Sequence, residues 1–255
     1  MSAPHDQRIR PELVVLADAD AVADEAATRV AAAMREAVAA RGQCVLALSG
    51  GSTPRRLHAR LVAMGAEALP WAQTYIVFGD ERCVPPDDSA SNFGMARETL
   101  LAHVPVPDAQ VLRMEGERPP ADGAERYEAT LRALATRLGV AEEDALFDVV
   151  LLGMGADGHT ASLFPGDAAL DETTRWVLDV CAPATYAPRD RLTLTLPALS
   201  RARTVLVLAG GAEKRDAVAH ALRGDADARE TLPVARVRGR ARTTWLLDRV
   251  AAGHA

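Results

Sequence analysis

Short runs of aliphatic and β-branched residues alternate along this chain with long alanine-rich stretches, and that alternation leaves few architectures open. The apolar runs are ELVVLA (12–17), QCVLALS (43–49), TYIVFG (74–79), FDVVLL (147–152), RWVLDV (175–180), RLTLTL (191–196), TVLVLA (204–209) and TTWLL (243–247). Several are apolar at every position, the pattern of strands buried on both faces. Helices are expected at 20–41, 54–64, 91–103, 121–138 and 212–223. Strands alternating with helices predict an α/β fold with a mostly parallel sheet flanked by helices. The chain has no internal repeat and no clear linker, so 1–255 is read as a single domain.

Composition narrows the class of partner. A net charge of −6 and only 4% aromatic residues give neither a basic surface nor stacking platforms for nucleic acid, and no attraction to an anionic membrane. No apolar run approaches the roughly 20 residues of a membrane span. The N-terminal MSAPHDQRIRPEL lacks the apolar core of a signal peptide. Three scattered cysteines, Cys44, Cys83 and Cys181, form no metal-ligand spacing and fit a reducing compartment. A cytoplasmic protein with no metal site and no obligate protein partner is expected.

In open parallel sheets ligands bind beyond the carboxyl ends of the strands, so the residues that follow each strand carry the information. After the second run comes Ser49-Gly50-Gly51-Ser52-Thr53-Pro54, leading into a helix. Two glycines permit close approach of the backbone, Ser52 or Thr53 can cap the helix, and its free N–H groups suit a phosphate. No GK[ST] follows, so this is not a Walker loop, and no GxSxG marks a nucleophile elbow. After the third run, Asp80-Glu81-Arg82 places three ionisable side chains at a strand end. Arg82 offers a fork for an oxyanion, and the two carboxylates can orient hydroxyls or the arginine.

The fourth run leads into GMGADGHTASLFPG. Gly153, Gly155 and Gly158 imitate a dinucleotide fingerprint, with Asp179 about 20 residues further on. Pro165-Gly166 cuts short the long helix that such a site requires, and Asp157 and His159 flank the last glycine. The segment reads instead as catalytic equipment, with His159 as a general base and a carboxylate as its support. The remaining histidines, His5, His58, His103, His220 and His254, are assigned to structure or surface.

Together, LALSGGSTP, GDERCVPPDDSASNFGMARETLL and DVVLLGMGADGHTASLFPG resemble the glucosamine-6-phosphate isomerase/6-phosphogluconolactonase family, on its lactonase side. The likeness continues through 191–218, 232–239 and 243–248 and so covers almost the whole chain. It implies a single α/β domain with a Rossmann-like sheet, similar to glucosamine-6-phosphate deaminase. It also implies hydrolysis of 6-phosphoglucono-δ-lactone, without metal or organic cofactor. By resemblance Gly50, Gly51, Ser52, Thr53 and Lys214 hold the phosphate, and Arg82 and Arg191 face the bound anion. His159 is the base, supported by Asp157 or Asp80.

Two rivals remain in view. Deaminases of this family resemble the form GDGHIAFNEP, in which a glutamate follows the histidine by five residues to complete a proton relay. The corresponding residue is Phe164, which cannot carry a proton. A non-catalytic sugar-phosphate sensor would keep the phosphate loop, but it has no need for Asp80, Arg82, Asp157, His159 and Lys214 together.

Overall fold

The computed structural model describes residues 11–253. Nine strands, β1 (Glu12–Leu16), β2 (Cys44–Leu48), β3 (Thr74–Phe78), β4 (Asp80–Arg82), β5 (Phe147–Gly153), β6 (Val177–Cys181), β7 (Asp190–Leu194), β8 (Ala202–Ala209) and β9 (Arg242–Asp248), form two sheets. The helices are α1 (Ala19–Arg41), α2 (Ser52–Ala63), α3 (Asn92–Thr99), α4 (Pro120–Arg137), α5 (Leu196–Leu199), α6 (Arg215–Arg223), α7 (Ala226–Thr231) and α8 (Pro233–Arg236). His5 and His254 lie outside the described residues.

The main sheet has the order β1-β9-β8-β5-β2-β3, and all five of its pairings are parallel. Every residue of β2 is buried, as is every residue of β5 except Gly153, which accounts for their unbroken apolar sequences. Helix α1 runs across this sheet, opened by the Asp18 side chain on Ala21 N and closed by Gly42 at φ 75°. Between β2 and β5 the strand order changes direction, because β2 continues outward to β3 while β5 continues to β8 and β9. Such a switch point leaves a crevice at the carboxyl ends, where the loops after β2 and β5 meet.

The runs at 175–180 and 191–196 do not join the parallel sheet, contrary to expectation. They form β6 and β7, which pair antiparallel with each other, and β7 pairs antiparallel with β4. The DER segment, expected at the end of the third run, forms a strand of its own. Leu194 N donates to Gly79 O, fastening this small sheet to the end of β3. Helix α4 packs on β6 and β7, and Tyr127 on that helix hydrogen-bonds to both the N–H and the carbonyl of Phe78. The helices expected at 91–103 and 212–223 are shorter, each broken into an α segment and a 3-10 turn.

Candidate active site

The loops after β2, β5 and β8, together with the small sheet, enclose an open cleft of about 300 Å³. Nine of the ten residues singled out from the sequence line it: Gly50, Gly51, Ser52, Thr53, Asp80, Arg82, His159, Arg191 and Lys214. The tenth, Asp157, stands behind the His159 ring.

Helix α2 opens directly from this cleft. Neither Ser52 nor Thr53 is its cap; the N-cap is Gly51, at φ 111°, and no side chain closes the first turn. The first-turn N–H groups and both hydroxyls are thus left for an anion. Gly50 is required by close approach, since a Cβ there would lie 1.9 Å from Asn92 Oδ1. The buried Ser49 hydroxyl, also in the cleft wall, has no hydrogen-bond partner among the described residues.

The β4–β7 pairing sets Arg82 directly opposite Arg191. Neither forms an ion pair with a carboxylate among the described residues. Arg191 Nε donates to Pro188 O at 2.7 Å, and Arg82 Nη1 donates to Ala90 O. Burial first, then the neighbouring Arg82, pulls the Arg191 pKa down. Lys214, in the turn after β8, also has no ion pair among the described residues, and burial lowers its pKa. Three buried or half-buried cations face one cleft, none of them in an ion pair among the described residues, which suits it to an anionic ligand.

The two acids of the DER segment serve different ends. Glu81 is turned inward, where it accepts from the N–H groups of Arg82, Asn92 and Phe93 and from the Ser91 hydroxyl. It braces the start of α3 and does not orient the arginine side chain. Asp80 lines the cleft, but one carboxylate oxygen accepts from Asn92 Nδ2 at 3.1 Å and the other from Ser162 Oγ at 2.7 Å.

Asp157 is the carboxylate that meets the histidine. Its Oδ1 accepts from His159 N at 3.0 Å and lies 2.6 Å from His159 Nδ1. Residues two apart can touch because the chain folds back sharply here: Gly155 N donates to His159 O and Gly158 N to Gly155 O. Gly158 takes φ 82°, and a side chain there would strike Leu232. Burial alone would raise the Asp157 pKa, but the hydrogen bonds from His159 and Tyr186 bring it down to about 2. An ionised Asp157 holds the proton of the neutral ring on Nδ1 and leaves the Nε2 lone pair available to substrate. No helix follows Gly158; the chain continues through turns to a Thr160–Leu163 bridge, which removes the dinucleotide reading.

Tyr186 was not singled out from the sequence, since a lone tyrosine in the aperiodic loop APATYAPRD carries no motif. It lines the cleft, donates to Asp157 Oδ2 at 3.1 Å, and meets the His159 ring edge-on at 5.0 Å between centroids. Phe164 is buried with its ring 4.7 Å from that of His159. Asn92 and Ser162, which hold Asp80, also lacked a distinguishing sequence signal.

Residues 17–245 match the family described as glucosamine-6-phosphate isomerases/6-phosphogluconolactonase. The 6-phosphogluconolactonase of Mycobacterium tuberculosis is 42% identical over 243 residues, 93% of this chain and 96% of that protein. That of Streptomyces coelicolor is 40% identical over 249 residues, 95% of this chain and 94% of that protein. The solved 6-phosphogluconolactonase of Trypanosoma brucei superposes with a TM-score of 0.80 at 32% identity, covering 95% of this chain and 98% of that one. A monomeric glucosamine-6-phosphate deaminase shares the fold, with a TM-score of 0.78 at 22% identity over 95% of this chain and 99% of its own. With an Asp157–His159 pair and three cations in one cleft, and these likenesses over nearly its whole length, the chain belongs to the glucosamine-6-phosphate isomerase/6-phosphogluconolactonase family.

Proposed function

We propose that this chain hydrolyses 6-phospho-D-glucono-1,5-lactone to 6-phospho-D-gluconate, with His159 as general base. The observation that carries this reading is the Asp157–His159 pair placed in a cleft lined by Arg82, Arg191 and Lys214, cations with no carboxylate partner among the described residues. The open α2 N-terminus with Gly50–Thr53 and Lys214 receives the phosphate; the arginine pair faces the remaining anionic oxygens. His159 Nε2 takes a proton from water as its oxygen attacks the lactone carbonyl carbon. The tetrahedral intermediate then collapses, the carbonyl carbon–ring oxygen bond breaks, and the departing oxygen takes up the proton held on the ring. A positioned base of this kind contributes about 10²–10⁴ in rate. The reaction places the enzyme in the oxidative pentose phosphate pathway. A cytoplasmic setting goes with it, supported by three cysteines that are all free.

Deaminase chemistry is disfavoured at a definite place. Phe164, five residues beyond His159, presents a buried ring against the imidazole where a relay needs an ionisable group. The deciding experiment is lactone hydrolysis, corrected for spontaneous opening, by the native protein and His159→Ala. We expect turnover to fall by at least about 10²-fold in the variant. Equal rates would remove His159 from the mechanism, and ammonia release from glucosamine 6-phosphate at rates rivalling lactone hydrolysis would overturn the assignment.

A further inference from the structure

The Asp157–His159 pair is built on a tight, irregular turn, and both of its internal hydrogen bonds use the same carboxylate oxygen, Oδ1. A carboxylate held through one oxygen can pivot about it. The second oxygen, Oδ2, is engaged from another part of the molecule, by the Tyr186 hydroxyl at 3.1 Å. Tyr186 lies in the connection between β6 and β7, and its ring also packs on those of His159 and Phe164. Burial and the nearby Asp157 raise the phenol's pKa, so at neutral pH it remains a donor.

The connection is itself braced. Tyr186 N donates to Pro183 O at 2.9 Å, Ala182 and Arg189 are joined by two hydrogen bonds, and Arg191 Nε holds Pro188 O at 2.7 Å. The loop that carries Tyr186 is thus anchored on one of the two arginines in the cleft. We propose that Tyr186 is a positioning residue for the reaction, fixing Asp157 at its second oxygen and thereby the His159 ring, from a loop tied to the anion-binding Arg191. This rests on the reading of His159 as the base. The small sheet then serves the site twice, since β4 and β7 present the arginines while the β6–β7 connection sets the dyad.

Tyr186→Phe keeps the ring and removes the hydroxyl, and Tyr186→Ala removes both. We expect Tyr186→Phe to lower kcat about tenfold, the lower end of the scale of one hydrogen bond to a charged group, with KM for the lactone and Tm unchanged. Tyr186→Ala should lose a further factor of roughly three to five, which the phenylalanine variant recovers. An activity-independent readout is the side-chain Nδ1–H proton of His159 in NMR, assigned by its disappearance in His159→Gln. It should move upfield and exchange faster with water in Tyr186→Phe. A native kcat and an unmoved Nδ1–H signal in Tyr186→Phe, alongside a hundredfold loss in His159→Ala, would overturn the positioning role and leave the base in place. A fall in Tm and a rise in KM with kcat retained would likewise overturn it, as a merely structural contact. Native rates in His159→Ala would instead sink the general-base reading itself.

Discussion

A methyl group at position 155 would stand 2.1 Å from His159 Nδ1 and 2.6 Å from Asp157 Oδ1. Gly155 does not occupy the left-handed region, so its backbone accepts alanine without strain. The atoms that would collide are the ends of two side chains, which can swing away at little cost to the fold. What they lose by swinging is their alignment, and a misplacement of about 1 Å at a reacting group can cost 10²-fold. Gly155→Ala should therefore lower kcat at least tenfold with Tm changed by less than about 3 °C, as read by steady-state kinetics and a thermal melt. A native turnover number would show that the dyad tolerates displacement. The glycine spacing that imitates a dinucleotide loop has, on this account, a local cause: Gly155 makes room for the pair, and Gly158 supplies the turn.

At the scale of elements, α2 carries the open N-terminus into the cleft and is fixed at its other side by a buried histidine. His58 is fully buried, with Nδ1 2.7 Å from Thr99 Oγ1 on α3. That hydroxyl gives its own proton to Met95 O, so it accepts from Nδ1–H, and Nε2 is left buried without a partner. Burial first, and then Arg55, brings the His58 pKa from 6.5 down to about 4. Between those values the unfolded chain binds a proton that the folded protein refuses, so stability falls as pH drops from 6.5 to 4 and levels off below. The shift corresponds to about 3 kcal/mol. His58→Gln removes the titration, so urea unfolding should show native stability losing about that much relative to the variant between roughly pH 7 and pH 4. A constant gap between the two proteins would refute the assignment.

Elements were legible in the sequence wherever their burial was simple. Five strands of the main sheet, β2, β3, β5, β8 and β9, announced themselves as mostly apolar runs, and α1 and α4 as long helical stretches. Pairing was not legible, since β6 and β7 resemble parallel strands locally and their direction is set by contacts distant in sequence. The three-residue β4 was hidden because Asp80, Glu81 and Arg82 are chosen for the cleft and for the start of α3, not for a strand. The same distinction divides the site. Residues grouped in a motif, such as Asp157 and His159, were found; those delivered singly by the tertiary fold, such as Tyr186, Asn92 and Ser162, were not.

Over the whole molecule, the proposed function assigns the cations of the cleft to binding and the Asp157–His159 pair to catalysis. The chain carries a net charge of −6, yet the cleft gathers Arg82 and Arg191 from the small sheet and Lys214 from the end of the parallel sheet. An anion seated there contacts both sheets and relieves repulsion among cations that have no carboxylate partner among the described residues. Ligand binding should therefore stabilise the fold by mass action. At about 100 times its dissociation constant, 6-phosphogluconate contributes about 2.7 kcal/mol, or about 5–10 °C in Tm for a chain of this size. Lys214→Ala removes one of the three charges and should lose most of that shift at the same ligand concentration, with KM for the lactone raised. Gly155→Ala leaves the cations untouched and should keep it. A differential scanning fluorimetry series with the native protein and both variants therefore reads phosphate capture apart from turnover. If Lys214→Ala retained the full shift, the phosphate would have to be held by the α2 N-terminus and the arginine pair alone.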